Sequence, residues 1–73
     1  MDYIDRMIAV RTDADETQKE LAQALGVNSV QLSKYERKIN EPSISYLLKF
    51  CQHYGVSADY ILGLEPGLDW PRK

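Results

Sequence analysis

Polar and cationic side chains gather in one short stretch, "NSVQLSKYERK", residues 28–38. At helical spacing Ser29, Val30, Ser33 and Lys34 share one face, with Arg37 and Lys38 at its end, while Leu32 and Tyr35 turn the other way. Small hydroxyl groups beside a long amine suit a helix that sinks into a DNA major groove. A lysine there reaches guanine O6 or N7, and a valine packs on a thymine methyl. The plainer alternative is a solvated helix face, since Ser and Lys are ordinary surface residues.

Other chemistry finds little support. No nucleophile stands at a useful spacing from a base, and no glycine-rich phosphate loop or metal-ligand set occurs. The acids of "DADE", residues 13–16, lack the glycine and terminal glutamate of a calcium loop and read as an exposed turn. Cys51 and His53 are two residues apart on one helix, so they do not face each other. Cys51 is expected in the core and His53 on the surface. Tyr54, Tyr60 and Trp70 are expected to pack, without forming a stacking platform for single strands. The expectation is a non-enzyme without cofactor, metal or small-molecule ligand.

A chain of 73 residues fits one domain, near the lower size at which a core suffices without staples. Its lone cysteine cannot close an internal disulfide, which suits a reducing cytoplasm. No apolar run approaches the roughly 20 residues of a membrane span, and "MDYIDRM" lacks the basic and apolar regions of a signal peptide. A soluble cytoplasmic domain is therefore expected. The net charge of −2 argues against indiscriminate polyanion binding. Its distribution says more: residues 21–40 set Lys34, Arg37 and Lys38 against Glu36 alone, whereas residues 1–20 are acidic overall.

These residues need elements to position them. Tyr3, Met7 and Val10, with Ile4, Ile8 and Arg11 on the adjoining track, predict a first amphipathic helix capped by Asp2. Thr17 and Glu20 form a capping box for a second, buried through Leu21, Ala24 and Leu25 and ended by Gly26. Asn28 caps a third, with Leu32 and Tyr35 inward. Ser43 caps a fourth, whose inward residues are expected to be Ile44, Leu47, Leu48, Cys51 and Tyr54. Gly55 stops it, and Ser57 caps a last short helix through Tyr60, Ile61 and Leu62. "GLEPGLDWPRK" should be irregular. The fold class is all-α, with residues 1–64 as the domain and 65–73 as a tail, and nothing alternates like a strand.

The stretch "TQKELAQALGVNSVQLSKYER" followed by "PSISYLLKFCQHYGVSADYILG" resembles the XRE, or Cro/repressor-type, helix-turn-helix family over about residues 3–64. The resemblance implies a compact five-helix, lambda-repressor-like bundle. It also implies sequence-specific binding of double-stranded DNA by a small phage- or bacterial-type repressor. The docking geometry belongs to phage members of that family: the second helix of the pair lies in the major groove, and dimers read half-sites about 34 Å apart. On this chain Asn28, Ser29, Val30, Ser33 and Lys34 would read bases, while Thr17, Gln18, Arg37 and Lys38 would hold phosphate. Arg11 and Glu36 would form a structural salt bridge. The partners implied are a pseudo-palindromic operator and a second copy of the chain. The apolar residues Tyr60, Ile61, Leu64, Leu68 and Trp70 offer candidate dimer surface, the alternative being that Trp70 folds back onto its own core. With so short a chain, no separate sensing or catalytic domain is expected.

The chain departs from the family pattern at three places. Glu16 replaces the apolar residue before "TQ", predicting loose packing there. Lys38 replaces the glycine after "YER", so it must adopt a left-handed backbone or shift the turn. "INEP" replaces a basic loop, which removes phosphate contacts and predicts weaker binding per subunit. With the acidic balance, this keeps a second reading open: a protein-interaction module of the same fold, antitoxin-like or antirepressor, with weak DNA affinity.

Overall fold

The computed structural model describes residues 2–64. Five helices follow one another: α1 Tyr3–Asp13, α2 Gln18–Leu25, α3 Ser29–Glu36, α4 Ile44–Tyr54 and α5 Ala58–Leu62. Among the described residues there is no strand. The tail and the expected roles of Leu68 and Trp70 lie outside the described residues.

The helix starts follow from side chains that satisfy the first orphan amides. The Asp2 carboxylate accepts from the Asp5 amide at 3.0 Å, and the Asp5 carboxylate accepts from the Asp2 amide at 3.3 Å. Thr17 and Glu20 make the same reciprocal box, at 3.1 and 2.9 Å. Asn28, Ser43 and Ser57 cap α3, α4 and α5 through the Val30, Tyr46 and Tyr60 amides. At the end of α2, Gly26 takes φ +69°, a conformation glycine adopts without strain. The chain can then turn at once into α3.

The core is Ile4, Met7, Leu21, Ala22, Leu25, Leu32, Tyr46, Phe50 and Ile61. Ala22 is buried within α2, and its carbonyl accepts from the Val27 amide just past the Gly26 turn at 2.9 Å. A larger side chain there would hold the two helices apart. α5 packs against α1 and α4 and closes the far side of the core.

The inward face of α4 differs from the expected one. Ile44 and Leu48 stand in solvent, 81% and 57% exposed, and Tyr46 and Phe50 take the centre of the interface. Leu47, Cys51 and Tyr54 pack half-buried beside them. All these apolar residues cannot face one way, and the aromatic pair removes the most surface from water. The Tyr46 ring meets Tyr35 edge-on at 4.8 Å, and Phe50 meets Tyr54 the same way at 4.8 Å. On α5 only Ile61 turns inward. It is fully buried, so it cannot serve as the exposed dimer residue expected of it, and Tyr60, expected to pack, is 57% exposed. Burial in the apolar interior raises the Tyr46 phenol and the Cys51 thiol above their ordinary pKa values.

Candidate nucleic-acid interface

α2, the Gly26 turn and α3 form the helix pair that the sequence pattern implies. Leu32 is fully buried against α2, so the opposite side of α3 must face outward. Asn28 and Ser29 are exposed, Val30 is 61% exposed, and Ser33 and Lys34 are half-buried along the same side. Asn28 spends its carbonyl oxygen on the Val30 amide at 2.7 Å, so that bond leaves its amide nitrogen uncommitted. Arg37 is exposed at the C-cap of α3. The structure thus gathers Asn28, Ser29, Val30, Ser33 and Lys34 along one element. Among the described residues neither Lys34 nor Arg37 makes an ion pair.

Thr17 and Gln18 stand at the start of α2, Thr17 exposed and Gln18 half-buried. Thr17 caps the helix through its hydroxyl oxygen. The amides of the first turn of a helix lack intrahelical partners and carry partial positive charge, an arrangement suited to phosphate.

Behind this surface lies a polar cluster. Glu36 accepts from Arg11 with both oxygens, Nε to Oε2 at 2.7 Å and Nη2 to Oε1 at 2.9 Å. The side chains are 15% and 12% exposed. The carboxylate stabilises the charged guanidinium and pushes the Arg11 pKa up. Arg11 Nη1 also donates to the Glu16 carbonyl at 2.7 Å, fixing the loop before α2. Gln18 Nε2 donates to Glu36 Oε1 at 2.8 Å. Two donors therefore converge on one carboxylate oxygen.

Two features of this region were not legible in the motif. Glu16, expected to leave the first loop loosely packed, anchors it instead: its Oε1 accepts from Tyr54 Oη at 2.6 Å and lies 3.0 Å from His53 Nε2. These donors hold the Glu16 carboxyl below its usual range, Tyr54 contributing most. His53 is accordingly tied to this loop across 37 positions, a separation no spacing rule detects.

The second is Lys38. It adopts φ +64°, the left-handed alternative, at a cost of roughly 1–2 kcal/mol for a residue with a Cβ. Its ammonium lies 3.1 Å from Asp2 and 3.1 Å from Asp5, linking the end of α3 to the start of α1. The pairs raise the Lys38 pKa, and that of Asp2 falls through the Asp5 amide first and Lys38 second. A phosphate contact by Lys38 must compete with these carboxylates.

Among the described residues no group of three or more His, Cys, Asp or Glu could hold a metal ion, and no helix is long and apolar enough to cross a membrane.

The helix-turn-helix family profile matches residues 9–61, which contain α2 and α3 entire. The chain is 43% identical over 58 residues to the HTH-type transcriptional regulator ImmR of Bacillus subtilis (strain 168), covering 80% of this chain and 46% of that protein. It is 32% identical over 62 residues to the uncharacterized HTH-type transcriptional regulator YobD of the same strain, covering 85% of this chain and 55% of that protein. The chain thus spans about half the length of these curated relatives. No solved structure matches it. The profile match and the capped α2–Gly26–α3 pair lead to one conclusion: the chain belongs to the XRE, or Cro/repressor-type, helix-turn-helix family.

Proposed function

We propose that the chain binds double-stranded DNA in a sequence-specific manner and regulates transcription, as a repressor that occludes its operator. The observation that carries this reading is the outer side of α3. Ser29, Val30, Ser33 and Lys34 share one side of a helix whose other side is locked in the core, with Asn28 exposed at its N-cap. Lys34 and Val30 would read base edges, with the hydroxyls of Ser29 and Ser33 allowing close approach. Thr17, Gln18 and Arg37 would hold phosphate and set the register. The relatives' names, both of transcriptional regulators, support the regulatory role.

A single recognition helix reads few base pairs, so two copies on a two-fold axis would bind a pseudo-palindromic site. Ile44, Leu48, Tyr60, Leu62 and Leu64 are each more than 40% exposed and offer apolar area for such a pairing. Sedimentation at micromolar concentration, free and with operator duplex, tests this. A monomer in both states removes the dimer.

The binding itself is tested by selecting sequences from a random duplex pool. The winner is then compared with a scrambled duplex at physiological salt. At least tenfold preference is expected. Equal, weak affinity for both would favour the protein-interaction module.

A further inference from the structure

The cluster behind α3 holds a side chain whose direction matters to the outer surface. Gln18 is the first residue of α2, placed by the Thr17 cap, and its carboxamide has one nitrogen with two hydrogens and one oxygen. Only the nitrogen end can donate to a phosphate. A free glutamine would present either end, and the oxygen end repels an anion.

We propose that Glu36 is a positioning residue for DNA binding: through Arg11 it is held as a fixed acceptor that orients the Gln18 amide. The inference rests on the phosphate-holding role proposed for Gln18 above. One Nε2 hydrogen goes to Glu36 Oε1 at 2.8 Å, which leaves the second on the same nitrogen for a phosphate oxygen. The acceptor cannot swing away, because its two oxygens are clamped by Arg11 at 2.7 and 2.9 Å. Arg11 is in turn fixed by the Glu16 carbonyl at 2.7 Å. Each link removes a rotational choice that a DNA complex would otherwise have to freeze on binding.

The same arrangement solves an electrostatic problem. A bare carboxylate one side chain away from a phosphate would oppose binding. Here the bidentate guanidinium neutralises Glu36, so it orients the glutamine without presenting net negative charge to the duplex. Arg11 and Glu36 therefore tie α1 to α3 and also prepare α2 for its ligand. A purely structural bridge would give no reason for the Gln18 nitrogen, with its shared acceptor, to be drawn in.

The test separates these roles with a double-mutant cycle read by DNA affinity. Replacing the whole pair, Arg11→Met with Glu36→Met, leaves no orphan charge and fills similar volume, a change buried pairs tolerate. In the parent, Gln18→Ala should weaken binding to both specific and scrambled duplexes roughly tenfold, the scale of one charge-assisted hydrogen bond. In the Met/Met background the same substitution should cost less than about threefold, because the amide is already unoriented. An equal cost in both backgrounds overturns the positioning role while leaving the phosphate contact standing. No cost in the parent overturns the phosphate contact itself.

A second measurement needs no variant of the pair. In ¹⁵N spectra of the free parent protein, the two Gln18 side-chain amide protons should be widely separated, one shifted downfield by the carboxylate. Two protons at ordinary glutamine positions overturn the proposal even if the Met/Met protein does not fold.

Discussion

Lys34 and Gln18 sit on different elements, and under the proposed function their substitutions should differ in kind. Lys34 lies in the last turn of α3, on the side proposed above to read base edges. Lys34→Ala should lose about 1–3 kcal/mol on the selected duplex and relax preference at one base pair. Measured against the scrambled duplex, the loss should be much smaller. Equal losses would make Lys34 a phosphate clamp and move the reader elsewhere on α3. Glu36 is tested through stability. With its side chain 12% exposed, Glu36→Ala strands the Arg11 guanidinium and should cost roughly 3–5 kcal/mol. A melting temperature within a degree or two of the parent would show that the pair contributes little. The α2–Gly26–α3 pair that carries this surface was readable because it sits in a contiguous motif. The Gln18–Glu36 and Glu16–Tyr54 bonds were not, since they join positions 18 and 38 apart with no periodicity to announce them.

Helix boundaries came through the sequence well, because caps are local chemistry. Thr17 with Glu20 and Asn28 with the Val30 amide lie within a few residues of each other. The direction in which α4 faces was harder to read. Ile44 and Leu48 lie on one shoulder of that helix and Tyr46 and Phe50 on the other, and the outcome depends on what α2 and α5 offer in return. The observed facing predicts a contrast. Phe50→Ala, at a residue 1% exposed, should cost about 3–5 kcal/mol. Leu48→Ala, at 57% exposure, should fall within about half a kcal/mol of the parent in dilute solution. Chemical denaturation of both variants decides the matter, and comparable losses would put the observed rotation of α4 in error.

At the scale of the whole molecule, the carboxylates that join distant segments govern the response to acid. Glu16 and Asp2 have lowered native pKa values, so their stabilising effect is complete above the unfolded values of 4.5 and 3.8. It is lost as pH falls through the lower native values. Stability should therefore hold from neutrality down to about pH 5 and decline below it. Glu16→Gln should show a shallower decline across the Glu16 range, and an unchanged acid profile would mean that Tyr54 and His53 do not stabilise the ionised form. Fold class was legible from the motif and the helical spacing, but charge compensation across the molecule was not. The acidic start of the chain looked like a local surplus, and folding brings part of it onto Lys38.

That contact has a consequence for thermodynamics. Asp2 and Asp5 lie 3.1 Å from the Lys38 ammonium and would compete with any phosphate for it. If Lys38 moves to a phosphate, the duplex sheds condensed cations while the two vacated carboxylates recruit some back, and the ion inventory partly cancels. The slope of log affinity against log salt should be shallow, about two to four ions per subunit. Neutralising the competitors with Asp2→Asn and Asp5→Asn, which keeps an α1 cap at Asp2, should raise affinity and steepen the slope by about one ion. An unchanged slope would place Lys38 away from the duplex altogether. In that case its two carboxylates make a surface strut between α3 and α1, and Lys34 and Arg37 are the cations of the 28–38 stretch without an ion pair.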